Sequence, residues 1–200
     1  VVATRRGDAP ELEALRARFP DRLTVEGLDI VDPAQAAALA ARLNGRRFDL
    51  LLANAGIMLG RGMTVGQVPD ADIQQIVMTN AIAPVRAADI LAPLVVPGGT
   101  VAFMSSILGS IGGNEDGRME LYRASKATLN SLIRSFAARH AEERFTVLAL
   151  HPGVVRTAMG GPTAPLDIDT SVRGLADTLA ARAGSGGSAF VDYRNAVLPW

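Results

Sequence analysis

Apolar and polar positions alternate along this chain with two periods, which predicts strands and helices in regular succession. Short β-branched or leucine-rich runs predict six strands, and apolar residues spaced three or four apart predict the helices between them. The predicted strands are residues 1–4, 23–30, 49–53, 100–105, 145–150 and 189–191. The predicted helices are residues 11–19, 33–43, 70–94, 122–136 and 169–183. Strands that alternate with helices indicate an α/β fold with a mainly parallel sheet.

Two of these segments carry further signals. Residues 49–53 form a continuous apolar run, which is typical of a strand buried on both faces of a parallel sheet. Residues 70–94 predict one long helix, which we expect to be kinked at Pro84 and to end near Pro93. Since no repeat or internal boundary interrupts the pattern, we expect residues 1–200 to form a single domain.

Composition narrows the function classes. The 200 residues are 48% hydrophobic, and twenty basic residues balance twenty acidic ones, which indicates a sizeable core and no nucleic acid or anionic membrane partner. The absence of cysteine excludes disulfides, thiol nucleophiles and thiolate metal sites, and it fits a cytoplasmic protein. The two histidines, His140 and His151, are too few for a histidine-rich metal site, so we expect no metal and assign them structural or solvated positions. No apolar run approaches the roughly 20 residues that span a bilayer.

Polar and small residues follow five of the predicted strands. Ligands of open parallel sheets bind outside the carboxyl ends of the strands, where such residues would meet. Each group alone fits ordinary loop chemistry, in which glycines turn the chain and serine or asparagine satisfies backbone groups. Five groups in register favour a ligand site. In chain order they are Arg5-Arg6, Asp29-Ile30, Asn54-Ala55-Gly56, Ser105-Ser106 and Pro152-Gly153.

Tyr122 and Lys126 lie four residues apart in a predicted helix. Residues at this spacing point to one helix face, so the phenol and the ammonium can serve one site. A cation beside a phenol favours the phenolate, which makes a weak acid useful near neutral pH. Taken alone, the same spacing also fits a solvated helix face.

The motifs in combination resemble those of the short-chain dehydrogenase/reductase family. They are Asn54-Ala55-Gly56, Asn80, Ser106, Tyr122 with Lys126, and Pro152-Gly153. The resemblance covers essentially the whole chain, from the second strand of that fold onwards, and implies a doubly wound parallel sheet, the Rossmann fold. Residues 104–111, the tail 192–200 and a long stretch between Ser106 and Tyr122 resemble, more narrowly, the C-factor and sniffer-like carbonyl reductases.

The resemblance implies a mechanism in which Tyr122 is the general acid/base for a carbonyl or alcohol substrate. Lys126 would lower the pKa of Tyr122 and hold the nicotinamide ribose hydroxyls. Ser106 would hydrogen-bond the carbonyl oxygen on which charge builds. Asn80 would hold a water that links Lys126 to solvent. Ser105 is the alternative to Ser106, although the family pattern favours the second serine.

The resemblance also implies a cofactor-binding set on the adenosine side. Asp29, followed by Ile30, would accept a hydrogen bond from the adenine amino group. Asn54 would brace adjacent strands. Ala55 and Gly56 would let the cofactor ribose approach closely because they lack bulk.

The nicotinamide side of the implied cofactor site follows the fifth strand. Gly153, after Pro152, and Val155 would meet the nicotinamide through their backbone. Thr157 would contact its carboxamide or the phosphates. Residues 157–169 form a short, apolar, proline-bearing lid, which suits a modest carbonyl compound as the small-molecule substrate.

Charge predicts the choice between the two nicotinamide cofactors. NAD-preferring relatives place an acidic residue at the end of the second strand, where it bonds the ribose 2′-hydroxyl. Here Arg5 and Arg6 stand at that place, and no acid occurs until Asp8. Two guanidiniums suit a 2′-phosphate through charge-assisted forked bonds. We therefore expect NADP(H) to be preferred over NAD(H).

The family's first strand, glycine-rich loop and first helix have no counterpart in this sequence, which starts at Val1 rather than Met. That strand is central in the 3-2-1-4-5 order of the fold, and the loop presents backbone N–H groups to the pyrophosphate. We therefore expect residues 1–28 to lack a parallel partner that joins them to the sheet starting at Asp49. We also expect the 200-residue chain to bind NADPH weakly or not at all.

Three interpretations stay open at this stage. The chain is a fragment of a complete reductase, or it is a natural truncation that acts as a binding or signalling protein. Alternatively, it is an isomerase or dehydratase of related fold that uses the tyrosine and lysine for proton abstraction. The resemblance also implies a homodimer or homotetramer that pairs through the helices bearing Asn80 and Tyr122.

Overall fold

The computed structural model describes every residue from Val1 to Trp200 and has the alternating order of strands and helices that the sequence predicts. The strands are β1 Val2–Arg5, β2 Thr24–Gly27, β3 Phe48–Ala53, β4 Val95–Met104, β5 Thr146–His151 and β6 Gly187–Asp192. The α-helices are α1 Pro10–Arg18, α2 Pro33–Arg42, α3 Asp70–Val77, α4 Ala83–Leu91, α5 Glu120–Arg139 and α6 Ile168–Arg182. Every strand pair is parallel, which confirms the predicted α/β fold with a parallel sheet.

The strands form two separate sheets. One sheet holds β1 and β2, and the other holds β3, β4, β5 and β6 in that order. No hydrogen-bonded strand joins β1 to β3, so the predicted separation of the first strands from the rest is confirmed. A cavity of about 800 Å³ lies between the two sheets.

The prediction that β3 is buried on both faces was wrong. Leu51 and Ala53 pack against the main core, but Leu50 is 39% exposed and Leu52 is 40% exposed. Alternate residues of a strand point to opposite faces, and only one face of β3 is covered by the core. Leu50 and Leu52 border the cavity between the two sheets instead.

Strand β4 begins at Val95, five residues before the predicted start, because the Pro97-Gly98-Gly99 segment lies inside the strand as an irregularity. Phe48 of β3 is opposite Val95, whereas Leu50 is already opposite Thr100. The register therefore shifts at this segment. The sequence predicted a later start because proline and glycine usually lie outside a regular strand.

The main hydrophobic core lies between the larger sheet and helices α4 and α5. Phe103 of β4, Phe136 of α5 and Phe190 of β6 are fully buried there. The rings of Phe103 and Phe136 meet edge to face, with centroids 5.6 Å apart. Burial of such rings dominates the packing energy of a core, and it fixes α5 against the sheet. None of the helices combines the length and apolar character that crossing a bilayer requires.

The predicted long helix of residues 70–94 is present, but a π-helical turn at Met78–Ile82 separates α3 from α4. The N–H of Ala83 donates to the carbonyl of Met78, five residues earlier. Pro84 has no N–H, so the carbonyl of Asn80 loses the donor that a regular α-helix would give it. The widened turn carries Asn80, whose side chain is fully buried.

Candidate active site

Tyr122 and Lys126 lie on the buried face of α5. Their side chains are only 7% and 3% exposed, so the alternative of a solvated helix face is wrong. Lys126 Nζ lies 5.8 Å from the centroid of the Tyr122 ring. The helix that carries both begins at Glu120, directly after Met119 in a left-handed conformation.

The surroundings of Tyr122 favour its neutral form. Burial raises the pKa of Tyr122, and a hydrogen bond with Ser106 acts in the opposite direction. Ser105 instead points away, because its Oγ donates to Asn130 Oδ1 at 2.6 Å in the core. Of the two serines, Ser106 therefore lies at the phenol.

Lys126 is the only lysine in the chain, which also has nineteen arginines. Its Nζ donates to the carbonyl of Met104 at 2.8 Å, and burial lowers the pKa of Lys126 to about 8. The expected lowering of the Tyr122 pKa by Lys126 is not seen. Burial is the largest effect on this pKa, and it raises it. The lone lysine among arginines was a signal available in the sequence.

Asn80 is held by three hydrogen bonds. Its Oδ1 accepts from the Ile57 N–H at 2.8 Å, and its Nδ2 donates to the Ile57 carbonyl at 2.8 Å and to Ser125 Oγ at 3.0 Å. Both amide hydrogens are thereby used, so the side chain has no donor left for a water. Sequence reasoning missed Ser125, because a small polar residue inside a helix carries no distinctive pattern.

Gly56 brings the backbone after β3 close to the buried cluster. A Cβ added at Gly56 would lie 3.5 Å from both Asn80 Oδ1 and Lys126 Nζ. These are ordinary contact distances, so the Gly56 backbone lies directly beside the two polar groups. The ammonium donors of Lys126 suit the hydroxyls of a ribose that approaches this backbone.

Seven residues of the predicted cofactor-binding set line one cavity, the 800 Å³ space between β1 and β3. The seven residues are Arg5, Arg6, Asp29, Ile30, Asn54, Ala55 and Gly56. The cavity ends at Gly56, Ile57 and Thr79, so the Tyr122 hydroxyl lies outside it.

Arg5 and Arg6 differ in whether the guanidinium group is paired with a carboxylate. Arg5 Nε forms an ion pair with Glu13 Oε1 at 3.3 Å, and Glu13 also binds Arg16 at 2.7 Å. No ion pair engages Arg6, which is exposed at the mouth of the cavity. Glu13 therefore neutralises part of the positive charge of Arg5, where the sequence predicts a phosphate site. The residues that follow the strands gave no sign of this ion pair.

The residues after β5 form a compact turn outside the cavity. Gly153 has a φ of 80°, a conformation that favours glycine, and a Cβ there would press against the end of the Leu166 side chain. Val155 pairs with Leu166 in an isolated parallel bridge. Thr157 Oγ1 accepts from the Gly160 N–H at 3.1 Å. The structure therefore does not bring Gly153, Val155 and Thr157 to the cavity wall.

The long stretch between Ser106 and Tyr122 is anchored to α5. Arg123, only 8% exposed, pairs its Nη2 with Asp116 Oδ1 at 2.8 Å and donates from Nε to the Arg118 carbonyl at 2.8 Å. The anchor residue is adjacent to Tyr122. The loop and the start of the helix therefore support each other.

His151 ends β5 beside the turn at Pro152. Burial lowers the pKa of His151 to about 4, and the nearby Asp192 carboxylate opposes the shift. Its Nδ1 is buried and has no hydrogen-bond partner. The residue is a partly buried side chain whose environment favours the neutral form, as expected of a structural histidine.

Comparison with known proteins gives a consistent result. A family described as enoyl-(acyl carrier protein) reductase matches residues 1–182. The chain is 36% identical over 154 residues to the C-signal protein of Myxococcus xanthus, covering 76% of this chain and 92% of that protein. It superposes with a TM-score of 0.97 on a Burkholderia multivorans structure described as a short-chain dehydrogenase/reductase with bound NADP, at 48% identity, covering 100% of this chain and 88% of that one. The carbonyl reductase Sniffer of D. melanogaster gives a TM-score of 0.89 at 30% identity, covering 100% and 87%.

Proposed function

The chain belongs to the short-chain dehydrogenase/reductase family, and from this premise we propose that it is an NADP(H)-dependent reductase of small carbonyl compounds. One observation carries the proposal: Tyr122, Lys126, Ser106 and Asn80 are buried together, and the backbone at Gly56 lies directly beside Asn80 and Lys126. Buried polar groups that converge on one space are typical of sites built for chemistry.

Tyr122 acts as the general acid in reduction. Because burial raises its pKa, the phenol stays protonated near neutral pH and has a proton to donate to a carbonyl oxygen. Ser106, whose hydroxyl acts on the pKa of the phenol, donates to the same carbonyl oxygen as negative charge develops on it. A bound nicotinamide would supply the hydride, and the protein would position it.

Lys126 and Asn80 resupply the proton. A Lys126 pKa of about 8 lets the amine exchange protons with solvent at neutral pH. Since Pro84 lacks an N–H, the carbonyl of Asn80 is available to hold a water in the path from Lys126. Lys126 Nζ, beside Gly56, also has the donors to hold ribose hydroxyls.

The cofactor preference rests on charge at the mouth of the cavity. Arg5 and Arg6 both line it, and Asp29 lies on the same wall. Guanidiniums bind a 2′-phosphate through two parallel hydrogen bonds, whereas the 2′-hydroxyl of NAD offers no charge to match. The NADP bound to the B. multivorans relative supports the same choice.

Apolar side chains surround Tyr122, which favours a substrate whose carbonyl is flanked by apolar groups. Tyr122 packs in a cluster with Val68, Ile76 and Leu121. Three methionines lie against the same cluster, and their flexible side chains suit varied small compounds. They are Met58, Met119 and Met159.

The experiment is a spectrophotometric assay of NADPH oxidation against a panel of aldehydes and ketones, at NADPH concentrations high enough to saturate a weak site. The matched samples are the 200-residue chain and its Tyr193→Phe variant, which keeps Tyr122. Oxidation that requires an aldehyde or ketone supports the proposal. Product formation without net NADPH turnover would favour an isomerase or dehydratase, and no turnover in either sample would refute a reductase.

A further inference from the structure

Ser125 lies between Tyr122 and Lys126 on α5 and is fully buried. Its Oγ donates to the Tyr122 carbonyl at 2.8 Å and accepts from Asn80 Nδ2 at 3.0 Å. The reductase mechanism gives this side chain no role. Its hydroxyl nevertheless links α5, which carries Tyr122 and Lys126, to the π-helical turn that carries Asn80.

The contact continues beyond Asn80 into the loop after β3. The Asn80 amide holds both the N–H and the carbonyl of Ile57, each at 2.8 Å. Ile57 directly follows Gly56, the residue beside Lys126 Nζ. A continuous set of hydrogen bonds therefore runs from α5 through Ser125 and Asn80 to the backbone that borders the cavity.

Other hydroxyl residues on α5 show that the second bond of Ser125 is distinctive. Thr128 Oγ1 donates only to the Ala124 carbonyl, at 2.8 Å, and Ser135 Oγ donates only to the Ser131 carbonyl, at 3.3 Å. Such bonds within one helix are common and link no other element. Ser125 makes the same local bond and in addition binds a residue 45 positions away in the chain.

We propose that Ser125 is a positioning residue, which fixes the orientation of the Asn80 amide and thereby the place of the Gly56–Ile57 backbone relative to Lys126. This inference rests on the proposed reductase function. Without the Ser125 hydroxyl, one hydrogen of Asn80 Nδ2 is buried with no acceptor, which is costly. The amide then turns away from Ile57 to satisfy itself, and the loop at Gly56 loosens.

The test compares Ser125→Ala with Ser135→Ala, which makes the same chemical change on an exposed face of the same helix. Amide hydrogen exchange is followed residue by residue by NMR in the protein without cofactor. We expect the Ile57 amide to exchange about tenfold faster in Ser125→Ala, while amides of β5 keep their protection. In Ser135→Ala, the Ile57 amide should exchange as in the unmodified protein.

Steady-state kinetics give the second measurement. If Ser125 positions the cofactor loop, Ser125→Ala raises the KM for NADPH about tenfold and lowers kcat less. Uniformly faster exchange at all amides would indicate a purely structural role and overturn the proposal. Unchanged exchange at Ile57 would overturn it as well.

A second variant covers the case in which Ser125→Ala does not fold. Ser125→Cys keeps a γ atom in place but forms weaker hydrogen bonds, so we expect a smaller increase in Ile57 exchange. Protection of Ile57 equal to that of the unmodified protein would contradict the proposal. Absence of NADPH-dependent activity in every sample would refute the reductase function, whereas the Ile57 exchange still decides the role of Ser125.

Discussion

Lys126 Nζ donates a hydrogen bond to the carbonyl of Met104 at 2.8 Å, so the only lysine of the chain closes the carboxyl end of β4. The bond fixes the amine between α5 and the sheet. A buried amine with one backbone acceptor is poorly solvated, and its charged form is therefore disfavoured.

The first prediction concerns the titration of Lys126. In protein labelled with ¹⁵N-lysine, a single Nζ signal arises, and we expect it to titrate with a midpoint near 8, because burial lowers its pKa to about 8. The unfolded protein should show the ordinary value of 10.5. The unfolded state binds more protons between these values, so this group makes the free energy of unfolding rise with pH from about 8 to 10.5. A midpoint above 10 in the folded protein would contradict the prediction.

Removing the Tyr122 hydroxyl should remove the general acid. We expect Tyr122→Phe to lower kcat by about 100-fold or more, with little change in NADPH affinity, because proton transfer by a positioned group contributes about this much. The control is Tyr193→Phe, which changes the only other tyrosine and leaves the Tyr122 cluster intact. Full reductase activity in Tyr122→Phe would overturn the mechanism.

The cofactor preference is tested at Glu13 and Arg5. Glu13→Gln removes the carboxylate that pairs with Arg5 at 3.3 Å, so more of the guanidinium charge is free for a 2′-phosphate. We expect NADPH to bind several-fold tighter to Glu13→Gln and about tenfold weaker to Arg5→Ala. Isothermal titration with NADH is the control and should give equal affinities for both variants. Tighter binding of NADH than NADPH by the unmodified protein would contradict the preference.

His151 predicts a pH dependence of stability. Its pKa is lowered to about 4 in the folded protein and is 6.5 when unfolded, so the unfolded state binds more protons between these values. The free energy of unfolding therefore rises from pH 4 to 6.5, by an amount on the order of 3 kcal/mol from this residue. Urea unfolding of the unmodified protein and of His151→Asn measures the difference. Parallel pH profiles for the two proteins would show that the His151 imidazole is not responsible.

Alanine substitutions at two glycines distinguish the stability cost of backbone strain from the cost of steric conflict. Gly153 and Gly161 both have positive φ, but a Cβ would meet Leu166 and Tyr193 at Gly153 and nothing within 4 Å at Gly161. We expect Gly161→Ala to cost about 1–2 kcal/mol for its left-handed conformation alone. Gly153→Ala should cost about 1–3 kcal/mol more because it also crowds the site. Equal losses in thermal unfolding experiments would indicate that Leu166 moves aside freely.

The order of strands and helices could be predicted from the sequence, because the spacing of apolar residues within a short segment distinguishes a strand from a helix. The burial of β3 could not, since it depends on what covers each face, and Leu50 and Leu52 lie on the uncovered one. The early start of β4 was hidden by Pro97-Gly98-Gly99, which usually ends a strand but here forms an irregularity inside one. A strand boundary that depends on pairing with a distant strand cannot be predicted from the local sequence pattern.

Some residues of the candidate site could likewise be predicted from the sequence, and others could not. Tyr122, Lys126 and Ser106 could be named from spacing and from family resemblance, and they lie together. Ser125 and Glu13 could not, because each acts through a contact with a residue far away or on another element. The direction of the Tyr122 pKa shift also depends on burial, a property of the whole fold rather than of the nearby cation.

The single lysine gives this chain an unusual pattern of proteolysis. A protease specific for lysine can cut only after Lys126, in the middle of α5, where the side chain is 3% exposed. Such a cut requires α5 to leave the sheet, so its rate measures how often the core helix opens. Two fragments, residues 1–126 and 127–200, would appear together, and any ligand that binds beside Gly56 should slow their appearance.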